Sequence, residues 1–321
     1  MKRTILNRSR VAGAGLLATF ALALPALAEY PEKNITMIIP FGAGGGSDTL
    51  ARTIATVIGE KELIPVSILP ENRPGASGAV GYTTIAEQKG NPYTLGTVSV
   101  SFFTTPLLGG SPVSYRDFTP LASIAQSPYL LVVPTSADIQ SLEDLAGAGR
   151  LTTGTVGVVS DAALLSRMTA DALGVQIDAV PFDGEGEVLA ALLGGHVNIG
   201  YLNPSEAMSQ MQAGTLRAIA ISSAERSEAF PDVPTFAEQG HPEIVHTQLR
   251  GLVMPADVPP EAVAYWEGVL EQVATSEEWK TQYIDRFHDI PDYADAEGLA
   301  KSIETTNARY EALMKELGLI N

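Results

Sequence analysis

The chain has 321 residues, with 20 Lys and Arg against 37 Asp and Glu, a formal net charge of −17, four histidines and no cysteine. That balance argues against nucleic acid as a partner, since phosphate contacts need a basic face. The missing cysteines exclude disulfides, thiol catalysis and a cysteine-linked lipid anchor.

Residues 1–28 read as an export signal: Lys2, Arg3, Arg8 and Arg10 precede an apolar core from Val11 to Leu24, and Ala26-Leu27-Ala28 forms a small-residue cleavage site. Cleavage near Ala28 would start a periplasmic protein at Glu29. Loss of the four basic residues would leave 16 Lys and Arg against 37 acidic residues, a net charge of −21. Such a chain repels anions at long range, so an anion site in it must be built from local N–H groups and hydroxyls.

From there short apolar runs alternate with amphipathic stretches. The runs Thr36–Pro40, Val66–Leu69 and Thr94–Val98 predict strands, and Thr49–Ile58 and Gly78–Gln88 predict helices between them. A second series begins at Leu130–Pro134. It continues with a helix led by Ser141, a strand at Leu151–Thr155, a helix at Ala162–Leu173, a strand at Ile177–Val180, a helix at Glu187–Leu193 and strands at Val197–Tyr201 and Arg217–Ile221. After a strand at Leu249–Pro255 the chain turns helical, with Pro259 and Pro260 suited to a helix start and Gly318 to a helix end. This βα alternation predicts two doubly wound α/β domains joined by a two-strand hinge. The expected division is 29–133 with 249–321 as one domain and 134–248 as the other.

Two glycine-rich loops carry the chemistry. FGAGGGSD, Phe41 to Asp48, follows one predicted strand and opens a helix; NRPGASGAVG, Asn72 to Gly81, repeats the device. Glycines there expose backbone N–H groups at the positive end of a helix dipole, which suits an anion. Further hydroxyl- or glycine-bearing loops fall at later strand ends: Ser99 and Ser101; Thr155, Gly157 and Ser160; Gly184 to Gly186; Asn203 and Ser205. Ligands of open α/β sheets bind outside the carboxyl ends of the strands, where these loops would meet. Taken singly, each loop is equally a tight turn with a helix cap.

Enzyme signatures are missing. The first loop places Ser47 where a dinucleotide fingerprint needs its third glycine, no GK[ST] follows, and Ser77 is one residue out of register for a nucleophile elbow. His196, His241, His246 and His288 are too scattered for a zinc site. No catalytic residue, metal or cofactor is assigned. Arg73 and Arg250 are read as ion-paired, Trp266 and Trp279 as packing.

The motifs resemble the extracytoplasmic solute receptors of tripartite tricarboxylate transporters, also called Bug receptors. The match includes IIPFGAGGGSD at Ile38–Asp48, NRPGASGAVG at Asn72–Gly81, GTVGVVSDAALL at Gly154–Leu165, VPFDGEGEVLAALLGGHVNIG at Val180–Gly200, NPSE at Asn203–Glu206 and FPDVPTFAEQG at Phe230–Gly240. The resemblance implies a two-lobed, type II-like periplasmic binding protein. It would be a monomer that closes on a di- or tricarboxylate and delivers it to the membrane permease subunits. It also implies that Phe41, Gly44, Gly45, Gly46, Ser47, Asp48, Gly75, Ala76, Ser77 and Gly78 hold the proximal carboxylate. Ser99, Ser101, Thr155, Ser160, Asp161, Phe182 and Asn203 would shape the distal end. Two departures stand out: Ala43 replaces the usual proline, and Gly157 to Ala163 lacks the second glycine and the histidine of G-x-G-S-x-x-H. An Asp161 that faced the ligand would disfavour a second bare carboxylate. An exported α/β enzyme acting on an acidic molecule and a carboxylate sensor for a membrane kinase are the competing readings.

Overall fold

The computed structural model describes residues 30–182 and 185–321; the export signal expected at 1–28 and Gly184 of the expected Gly184 to Gly186 loop lie outside the described residues. Two sheets carry the fold. The first has the order β11-β4-β10-β3-β1-β2, from strands β1 (Ile35–Ile39), β2 (Ile68–Asn72), β3 (Thr94–Thr97), β4 (Phe118–Ser127), β10 (Gln248–Pro255) and β11 (Ile290–Ala294). The second has the order β7-β6-β8-β5-β9, from β5 (Leu130–Pro134), β6 (Arg150–Val156), β7 (Gln176–Phe182), β8 (Ile199–Leu202) and β9 (Leu216–Ile221). In each, three parallel strands (β2-β1-β3 and β7-β6-β8) meet antiparallel neighbours. The chain crosses between the sheets twice, from Ser127 to Leu130, upstream of Val133, and from Ile221 to Gln248.

Helices α1 (Gly46–Glu60), α2 (Ala79–Ala86) and α3 (Ser101–Leu107) follow the first three strands. Helices α4 (Leu142–Gly147), α5 (Asp161–Leu173), α6 (Glu185–Leu193) and α7 (Pro204–Gln212) belong to the second series. The C-terminal part contributes α8 (Pro260–Ala274), the short α9 (Glu277–Trp279) and α10 (Asp285–Phe287) around a π-helical turn, and the long α11 (Ala296–Glu316). Ser141 caps α4 through the Asp144 N–H, and Gly318 (φ 67°) ends α11 in the left-handed region that glycine tolerates.

The run Leu130-Leu131-Val132-Val133 is wholly buried because its sheet is covered on both faces. Leu131 and Val133 pack with Leu165, Tyr201 and Phe236 on one side, while Leu130 and Val132 pack with Val188, Leu192 and Leu216 on the other. Each such side chain contributes about 1.5–3 kcal/mol by leaving water. The first sheet rests on an aromatic cluster of Tyr82, Phe102, Phe103, Phe118 and Tyr310.

Four elements were not predicted: α3, β4, α7 and β11. β4 reads FTPLASIAQS, too mixed for a period-2 signal, and pairing with β10 and β11 on its two sides makes it a strand despite register shifts. β2 lies later than the predicted Val66–Leu69, since its register with β1 runs Ile35↔Ile68 to Ile39↔Asn72. As an edge strand it tolerates Pro70.

Candidate functional site

β1, β2 and β3 run in parallel, so the segments after Ile39, Asn72 and Thr97 emerge at one edge of their sheet. The first loop brings the chain to α1 through Gly44, at φ 86°, and Gly45, extended at φ −78° and without a side-chain cap. The first-turn N–H groups of α1 therefore have no side-chain acceptor from the cap position, which leaves the positive end of a 15-residue helix available to an anion. Asp48 is occupied in holding this loop. Its carboxylate accepts from the Gly44 N–H, Arg52 Nε and Asn72 Nδ2, each at 2.9 Å, and Asn72 Nδ2 also donates to the Phe41 carbonyl at 3.0 Å. Burial raises its pKa, but the bonds from Arg52, Gly44 and Asn72 outweigh burial and hold it at about 2.

The second loop is a run of positive φ: Gly75 (139°), Ala76 (47°), Ser77 (50°) and Gly78 (87°). It leads into α2, whose cap residue Gly78 also makes no side-chain cap bond. A Cβ on Gly78 would lie 3.1 Å from Phe41 Cζ and 3.1 Å from Tyr82 Cε2, and one on Gly81 would lie 2.5 Å from Pro40 Cα. The two glycine loops are thus packed side by side. Thr105 Oγ1 donates to the Ser77 carbonyl at 3.0 Å, which ties the second loop to α3, and the Tyr82 hydroxyl meets Ser99 Oγ at 2.9 Å, which ties α2 to the segment before α3.

In the second sheet the turn after Val156 is braced internally. Thr155 Oγ1 donates to the Gly157 carbonyl at 2.8 Å, and Ser160 Oγ caps α5 by accepting from the Ala163 N–H at 3.3 Å. Asn203 Nδ2 donates to the Pro128 carbonyl at 3.0 Å, so it secures the first crossing, and half-buried Phe182 packs against the cluster around Val188.

Asp161, the first residue of α5, is buried. Its Oδ2 accepts from the Tyr129 hydroxyl at 2.9 Å, and its Oδ1 from the Tyr310 hydroxyl and from His246 Nε2. Burial raises its pKa, but attraction to His246 and the bonds from His246, Tyr310 and Tyr129 together hold it below the ordinary range. Burial, with Asp161 beside it, drives the Tyr310 phenol far up.

A cavity of about 200 Å³ opens between elements of the two sheets. Of the sequence-predicted residues it gathers Ser101, Ser160 and Asp161; Phe41, Gly44–Asp48, Gly75–Gly78, Ser99, Thr155, Phe182 and Asn203 do not line it. The sequence reading missed Thr104, Tyr129, Glu206 and Gln248 in its wall. Glu206 closes the NPSE motif and Gln248 precedes a predicted strand, so both had a nearby signal. A larger cavity, about 710 Å³, lies between β4, the stretch after β9 and the π-helical turn, and none of the predicted residues lines it. The smaller one is the better site because it abuts the carboxyl ends of β6 and β8 and the start of α3.

Arg250 on β10 was also missed as a neighbour of the glycine loops. Its Nη1 would sit 3.5 Å from a Cβ on Gly46, while its Nε donates to Ser127 Oγ at 2.7 Å and pairs with buried Asp289 at 3.5 Å. Arg73 is ion-paired with Glu71 at the surface. Among the described residues no group of three His, Asp or Glu could hold a metal, and no helix is long and apolar enough to cross a membrane.

Two α/β sheets crossed twice by one chain, with uncapped helix starts at parallel strand ends, define the class of two-lobed solute-binding receptors. Within that class the chain belongs to the tripartite tricarboxylate transporter family receptors, whose family model matches residues 50–319. It is a receptor rather than an enzyme. It is 32% identical to Protein BugT of Bordetella pertussis over 260 residues, covering 77% of this chain and 78% of that one. A TctC solute binding protein from Polaromonas superposes with a TM-score of 0.79 at 27% identity, covering 89% of this chain and 99% of that chain. Rpa4515 of R. palustris, solved with adipate, gives a TM-score of 0.75 at 26% identity, with 90% and 99% covered.

Proposed function

We propose that this protein is an exported, periplasmic receptor that holds a small organic acid between its two lobes and passes it to the membrane permease subunits of a tripartite tricarboxylate transporter. The observation that carries the reading is the pair of adjoining glycine loops. The uncapped start of α1 and the positive-φ turn Gly75–Gly78 lie against each other through Phe41, and both lead into helices without a side-chain cap. N–H groups there offer a carboxylate backbone donors, while Arg250 beside Gly46 is engaged with Ser127 and Asp289. The same residues of the sequence reading make the contacts: Gly44 to Gly46 and Ser47 from the first loop, Gly75 to Gly78 from the second. Asp48 holds the loop in shape, and Ser101 and Ser160 face the rest of the ligand from the two sheets.

We take the lobes to follow the two sheets, with the hinge at the crossings Ser127 to Leu130 and Ile221 to Gln248 rather than at Val133. Contacts from both lobes exist together only when the cleft is closed, so the ligand favours closure and the permease reads the closed form. The experiment is a thermal-shift screen of the exported protein against mono-, di- and tricarboxylates. A ligand at 100 times its Kd stabilises by about 2.7 kcal/mol, so a true ligand raises the Tm in a concentration-dependent way. A panel in which amines, sugars or cations stabilise the protein and no carboxylate does sinks the proposal.

A further inference from the structure

We propose that the ligand carries a single carboxylate and that the end entering the cavity between the sheets is a hydrogen-bond donor, a hydroxyl or an ammonium, in place of a second carboxylate. The inference rests on the carboxylate reading above and narrows it. It starts from the charge of the cavity wall. Among the described residues the lining carries two carboxylates, Asp161 and Glu206, and no lysine, arginine or histidine. The rest is hydroxyl, amide and aliphatic surface, with Val100, Val156, Val159, Val188 and Leu202 prominent.

Asp161 is fixed in place as an acceptor. A carboxylate offers about four lone-pair sites. Tyr310 and His246 take two on Oδ1 and Tyr129 takes one on Oδ2, which leaves capacity on Oδ2 for one further donor. Glu206, in the first turn of α7, adds its charge from the second sheet. When the cleft closes and water leaves, like charges repel more strongly because the local dielectric falls. A dicarboxylate held by one end on the glycine loops would bring a third carboxylate to these two, with His246 and Arg250 lying behind Asp161 rather than in the wall. A donor at the same position meets an acceptor that still has room for it.

The test compares acids that differ only at the far end: adipate, 6-hydroxyhexanoate and 6-aminohexanoate, with succinate, 4-hydroxybutyrate and 4-aminobutyrate as the shorter series. Calorimetry at pH 7 on the intact exported protein should show a donor-ended acid binding at least tenfold tighter than the diacid of its own length. Glu206→Gln, a half-exposed position outside the Asp161 cluster, should shrink that preference several-fold while leaving the fold intact, and Asp161→Asn should shrink it further. A diacid that binds as tightly as its donor-ended partners, or a preference untouched by Glu206→Gln, overturns the inference while the receptor reading stands. Binding by no acid, in either series or in the wider panel, overturns the reading beneath it and the inference together.

Discussion

Asp161 joins four separate parts of the chain: α5 itself, the first crossing through Tyr129, the approach to β10 through His246, and α11 through Tyr310. Asp161→Ala leaves three buried donors without an acceptor. An unsatisfied buried group costs about 1–3 kcal/mol, and bonds to an ionised carboxylate are stronger than neutral ones. The loss should fall at the upper end of that range, reduced where water enters the space. Asp161→Asn keeps the volume and one acceptor oxygen but turns the other position into a donor that faces a donor, so about 2 kcal/mol is expected. The pH dependence has a definite sign. The folded-state pKa lies below the ordinary value of 3.8, so the wild-type carboxylate contributes fully above that value and loses its contribution as pH falls below it. Urea unfolding of wild type and both variants at pH 7, 5 and 3.5 measures this. The gap between wild type and Asp161→Asn should be full at pH 7 and 5 and narrow at 3.5. A gap independent of pH, or an alanine variant within about 0.5 kcal/mol of wild type, refutes the assignment.

The two glycine loops separate by substitution. Gly78→Ala places a side chain at φ 87° against Phe41 and Tyr82, a backbone cost of about 1–2 kcal/mol with displaced aromatics besides, and should weaken acid binding at least tenfold in calorimetry. Gly45→Ala, at φ −78° with only the Gly42 carbonyl at 3.7 Å, should change stability by less than about 0.5 kcal/mol. Asp48→Asn should cost about 1–3 kcal/mol in denaturant unfolding at pH 7. Because the native carboxyl sits at about 2, that cost should fade as pH drops from 3.8 toward 2. Arg250→Leu strands Asp289, whose pKa burial already raises, and should destabilise by about 3–5 kcal/mol in the same assay.

Most of the fold was readable because it is locally encoded. The runs Leu130–Pro134 and Leu249–Pro255 are apolar enough to announce buried strands, and Ser141, Pro260 and Gly318 mark helix ends by their own chemistry. The elements that escaped, β4 and β11 above all, are strands only because neighbours pair with them. The site divides in the same way. The glycine loops were visible as spacing and residue type, although Gly45 turned out not to need positive φ. The partners of Asp161 were invisible, since Tyr129, His246 and Tyr310 come from distant segments and meet only in the folded chain. Ser160 caps α5, the alternative that its residue type offered, whereas the Asn203 bond to the Pro128 carbonyl joins distant segments and had no local sign.

The central claim is that backbone N–H groups of two adjoining loops hold the ligand's carboxylate. A crystal structure of the protein with its tightest-binding acid tests it most directly. The account predicts a carboxylate within hydrogen-bond distance of N–H groups at the start of α1 and in the turn Gly75–Gly78, directly or through one water, with the rest of the ligand between Ser101 and Ser160. A carboxylate seated instead on a side-chain cation, or an acid bound in the cavity beside Lys280 and His288, contradicts it.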